Sequence, residues 1–141
     1  MAVADDLDRV SELCKTGAKL TLSALLELGP KPDDPTGALL WEQRATRLQG
    51  QLNSLSALVS KLTAAAVLQG LAGFDKELAT VGHVSKDAEK KIKQIKDVST
   101  LLKRLAGVLD LGLALLAAAA APSAATIAAV VKAGTAVAKD A

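Results

Sequence analysis

Tyrosine is absent from this chain, and cysteine, histidine, tryptophan and phenylalanine occur once each. The single cysteine, Cys14, excludes an intramolecular disulfide framework, so packing alone must hold the fold. One histidine, His83, and one cysteine cannot assemble a structural zinc site, and no metal is expected. Trp41 and Phe74 are too few aromatics for an aromatic-rich β fold, and they offer no run of platforms on which nucleobases would stack. The net charge of +2 is too small to draw the chain to a phosphate backbone, so nucleic acid is not an expected partner.

Catalytic patterns are missing as well. No GxSxG elbow, glycine-rich phosphate loop or histidine-linked carboxylate set occurs. Cys14 falls on an apolar face, where a thiol is inert, and His83 stands alone in an expected connection. Asp5, Asp6 and Asp8 cluster where they favour a helix start, and Asp33 and Asp34 occupy a turn. The expectation is a non-enzyme with no catalytic residue and no cofactor. The opening residues, MAVADDLDRV, are acidic and lack the charged-then-apolar order of a secretory leader. Synthesis in the cytoplasm is expected, with any export, and any membrane association that follows it, using a route without a cleavable signal.

What the chain does have is alanine, leucine and valine in helical periods; half of its residues are apolar. Val3, Leu7, Val10, Cys14, Gly17, Thr21, Ala24 and Leu28 recur at steps of four and three, an amphipathic helix over 2–28 that Gly29 and Pro30 end. Asp34 and Pro35 then start a second helix over 35–72, with the seam Trp41, Ala45, Leu48, Leu52, Leu55, Val59, Leu62 and Ala66. Gly70, Gly73 and Gly82 mark the expected reversal. Ser85 offers the N-cap of a third helix over 85–121, whose seam is Ile95, Val98, Leu102, Leu105, Leu109, Gly112, Leu116 and Ala119. Pro122 separates it from a fourth over 123–138. These spans predict an all-α single domain over 1–141, an elongated antiparallel bundle of about four helices in which the two long central ones pair as a hairpin.

One stretch asks for an unusual environment. Residues 111–131, LGLALLAAAAAPSAATIAAVV, carry no charge and follow a lysine-rich segment. The proline divides it into arms too short to span a hydrocarbon core of about 30 Å, whereas extension to 105–137 gives two nearly sufficient arms and takes in Asp110 and Lys132. Such a proline-centred apolar pair resembles the membrane-inserting hairpins of α-helical pore-forming toxins, the colicin type and the elongated bundle cytolysins. The resemblance covers 105–137 and implies a hairpin sheltered in a soluble bundle and released at a membrane. Its candidate membrane- or partner-binding residues are Leu105, Leu109, Leu113, Leu116, Ile127, Val130 and Val131. The same residues also fit the core of a soluble bundle packed closely through alanine and glycine.

Between Lys86 and Arg104 seven basic residues face three acidic ones. Lys90, Lys93, Lys103 and Arg104 form a candidate basic face for anionic lipid or an acidic partner, or simply a solvated face on which Glu89 and Lys93 pair along the helix. Two functions follow as expectations. One is a small helical effector or toxin-like protein whose C-terminal hairpin perturbs or perforates membrane lipids. The other is a soluble adaptor, chaperone or assembly subunit that meets a protein partner, or a second copy of itself, through its leucine seams.

Overall fold

The computed structural model describes residues 2–139. It contains six helices: α1 (Ala2–Glu27), α2 (Pro35–Leu62), α3 (Ala65–Gly70), α4 (Asp75–Ile92), α5 (Val98–Ala120) and α6 (Ala124–Lys139). No strand occurs among the described residues. The all-helical class is as expected, but the count of helices and two of their boundaries are not.

The first helix follows its sequence period closely. Val3, Leu7, Val10, Cys14, Thr21 and Ala24 are all buried. At Gly17 a side chain would meet Leu105 at 2.8 Å and Leu55 at 3.2 Å, so this glycine lets three helices converge. Gly29, with φ of +66°, makes the left-handed turn that ends the first hairpin arm. Asp34 then caps α2 by accepting the amide of Gly37 at 2.7 Å, with Pro35 in the first turn.

The expected second helix over 35–72 is two helices. The run from Thr63 to Ala66 has no large apolar side chain to hold a straight continuation against the bundle. The Thr63 hydroxyl turns back onto the carbonyls of Ser60 and Val59, Ala64 is extended, and α3 sets off in a new direction that buries Val67. Ala66, placed on the seam by its period, is exposed. Gly70 then lies so close to the backbone of Ala119 that no Cβ would fit.

The expected third helix over 85–121 is also corrected. Ser85 is not a cap; it lies within α4, buried, and its hydroxyl has no hydrogen-bond partner. Gly82 does not reverse the chain either, because its missing side chain admits the carboxylate of Asp6 and so lets α1 and α4 touch. The positive φ of +100° at Gly73 makes the reversal instead. Helix α4 ends at Ile92, and a separate helix start lies at Asp97. Its carboxylate accepts the backbone amide and the hydroxyl of Thr100, both at 2.9 Å, which starts α5 afresh. Those two bonds hold the Asp97 carboxyl below its ordinary pKa.

Pairs of contacts fix the directions. Asp6 meets Gly82 and Thr16 meets Glu89, so α1 and α4 run parallel. Gln51 reaches the carbonyl of Leu102 and Leu58 packs on Gly112, so α2 and α5 are parallel too. The two long seams therefore do not close as one antiparallel hairpin: α3 and α4 intervene in the chain. In space α1 lies between α2 and α4, α6 between α4 and α5, and α5 returns to α2, a closed ring with α3 beneath the end of α5. Because α5 is covered by α2, α3 and α6 and touches α1, its buried face is wider than a single seam. Leu101, Val108, Leu111 and Leu115 are core, whereas Leu109, Leu116 and Ala119 are only partly covered.

Candidate functional site

Helix ends do not coincide in this ring. The Thr16 hydroxyl donates to Glu89 at 2.5 Å, and α4 stops three residues later while α1 continues to Glu27. That leaves α1 about 12 Å longer at 1.5 Å per residue. Likewise Gln51 meets Leu102 only a turn into α5, while α2 extends back to Pro35, about 18 Å beyond the start of α5. The distal end of the α1–α2 hairpin consequently projects past the other helices.

This end is held by its own contacts. The Trp41 indole donates to the carbonyl of Gly29 at 3.1 Å, and Lys31 pairs with Glu42. Leu25 and Leu28 lie partly covered against the same surface as Trp41. Outside these contacts are leucines that stand about half open or more: Leu22 is 47% exposed, Leu26 75%, and Leu39 and Leu40 55% each. Only two other large apolar side chains are comparably open among the described residues, Leu68 on α3 and Leu113 on α5, and they stand singly. Scattered exposed leucines are ordinary, but four at one helical end are a feature.

Between the free end of α2 and the start of α5 runs a groove of about 830 Å³, lined by Leu39, Leu40, Val98 and Leu102 with Arg44, Arg47 and Lys96 among its rim residues. A smaller one, about 260 Å³, lies between α1 and α2 where Leu22 faces Leu52 and Val59 beside Lys15 and Lys19. Both have apolar floors and basic edges.

The residues singled out from sequence occupy other places. Leu105 is fully buried, and Ile127 and Val130 are buried. Leu109, Leu116 and Val131 are partly buried against the core, and Leu113 alone is open, at 57%. No described helix is long and apolar enough to cross a membrane. Lys90 and Lys93 lie at the end of α4, where Lys93 is 3.8 Å from Glu89 as the spacing suggested. Lys103 and Arg104 sit on α5 beside Gly107 and Val137, so the basic residues belong to two helices rather than one. Asp110 and Lys132 line one crevice between α5 and α6.

Groups able to do chemistry are dispersed. Cys14 is buried and its thiol is pushed up to about 12 by that burial. His83 is exposed, 3.9 Å from Asp87 on its own helix. No cluster of three potential metal ligands occurs among the described residues. No protein-family model, curated protein or solved structure matches the chain. The seams alone do not predict the projecting end, although a signal for it exists: Leu22, Leu26, Leu39 and Leu40 all fall off the seams and all flank the Gly29–Pro30 turn.

Proposed function

We propose that this chain is a non-enzymatic helical interaction module, an adaptor or assembly subunit that contacts a second protein through the projecting end of its α1–α2 hairpin. The observation that carries this reading is the concentration of exposed leucines there. Full burial of one such side chain contributes roughly 1.5–3 kcal/mol; at 47–75% exposure the isolated chain forgoes about half or more of that at each position, and a partner's helices would recover it. The test is site-specific photo-crosslinking in cells, with a benzophenone amino acid at Leu26 or Leu40 and, as a control, at Leu68. A discrete protein adduct from the first two positions and none from the third is expected. Adducts to lipid alone, or the same pattern from all three, would refute the reading.

A second reading, membrane perturbation by α5 and α6, draws on Asp110 and Lys132. They are the only charged residues in 105–137, and they face a common crevice, so the hairpin carries its two opposite charges together. It requires α5 to leave the core. Leu58→Cys with Gly112→Cys would lock α5 to α2, since the Leu58 side chain already reaches the Gly112 position, and buried Cys14 would not compete for the bond. Leakage of dye from anionic vesicles that vanishes in the oxidised variant and returns on reduction is what this reading demands. Equal leakage in both states would discard it.

A further inference from the structure

The groove beside α5 occupies the place that α5 itself would fill if it started two or three turns earlier. Its floor is apolar on both sides, with Leu39 and Leu40 from α2 and Val98 and Leu102 from α5. Its charges do not balance. Glu42 is already paired with Lys31, and Asp97 is engaged in capping Thr100 and faces Arg44. Arg47 and Lys96 have no acidic group within ion-pair distance among the described residues. The flanking walls are helices, so no sheet edge is offered to an extended peptide; the shape suits a helix laid between two others.

We propose that this groove seats an acidic amphipathic helix of another protein. Its apolar stripe covers Leu39, Leu40 and the partly open Val98, and its carboxylates meet Arg47 and Lys96. The proposal rests on the interaction reading above and adds the chemistry of the partner. Apolar contact supplies the binding energy, and the two uncompensated cations select acidic flanks over basic ones. The Arg47 guanidinium is suited to holding a carboxylate through two parallel hydrogen bonds.

Two synthetic peptides of about 14 residues test it, both with leucines at i, i+3, i+4 and i+7, one flanked by glutamate and the other by lysine. Calorimetric titration into the full chain should show the glutamate peptide binding at least about tenfold more tightly at low salt, with the difference shrinking as salt screens it. Arg47→Glu combined with Lys96→Glu should invert the preference. Leu39→Ser with Leu40→Ser should abolish binding of both peptides while the thermal melt is unchanged, because these leucines are exposed in the free chain. Equal affinities, no binding, or a glutamate preference that survives charge reversal would overturn the proposal. So would binding of phosphatidylserine vesicles in place of the peptide. If the peptides fail while crosslinks from Leu26 persist, the occupant assigned to this groove is wrong and the interaction reading stands; if the crosslinks fail, that reading falls with it.

Discussion

The α1–α2 and α5–α6 hairpins treat their apolar residues in opposite ways. The second is the more apolar by sequence, yet Leu113 is its only large apolar side chain left open. The first is more polar, yet leaves four leucines uncovered at its end. Apolar composition therefore does not locate an exposed surface in this fold. A helical residue is covered when a neighbouring helix runs alongside it, and the lengths of α4 and α5 decide where that cover ends. The C-terminal hairpin lies within the ring; the far end of the N-terminal one has outgrown it.

The comparison breaks most visibly in stability. Leu105 is fully buried near Gly17, and Leu105→Ala should cost about 2–5 kcal/mol in urea unfolding, from lost burial and the cavity left behind. Leu26→Ala should change stability by no more than about 0.5 kcal/mol, because the side chain is already in water. Comparable losses at the two positions would mean that the projecting end is packed after all.

Glycines give a second, smaller contrast. A methyl at position 82 would collide with the Asp6 carboxylate, and Gly82→Ala should destabilise by about 1–3 kcal/mol. At Gly50, within α2, nothing lies within 4 Å of the added carbon, and Gly50→Ala should instead gain about 0.5–1 kcal/mol by restricting the unfolded chain and favouring helix. Thermal melts of the two variants must move in opposite directions. A lower melting temperature for Gly50→Ala would place an unseen contact on that face of α2.

Much of the local structure is legible in the residues. The seam of α1, its end at Gly29–Pro30, the cap at Asp34 and the break at Pro122 are all read from side chains acting within a few positions of themselves. The reading fails where a local choice competes with a longer period. Ile95, Val98 and Leu102 keep helical spacing across 93–97, and the spacing hides the chain break that Asp97 makes with Thr100. Gly82 resembles a helix breaker in sequence and is a close-packing position in space, because the partner it admits, Asp6, lies on another helix. The candidate site is legible only in part, for the same reason: its four leucines fall off the seams, but nothing local shows that no other helix covers them. That Leu39 and Leu40 are exposed depends on where α5 begins, and no period within α2 carries that information.

The smallest expected effect tests the closed side of the comparison. Asp6 lies on α1 at 6% exposure, with one carboxylate oxygen lacking a hydrogen-bond partner and the other 4.0 Å from Arg9. Burial raises its pKa above 3.8; Arg9 on its own helix opposes the rise, and Asp5 beside it and Asp75 on α4 add to it. A raised folded value means that the folded chain holds this proton more tightly than the unfolded one. The stabilising contribution is fully present below the unfolded pKa and is lost as pH climbs through the folded one. Relative to Asp6→Asn, which cannot titrate, the native chain should therefore lose stability as pH climbs above 3.8, measured by urea unfolding at each pH from about 3 to about 7. A difference that stays flat across that range would mean that water reaches the carboxylate. The contact of α1 with α4 at Gly82 would then be loose, and the ring would be open on the side where it is described as closed.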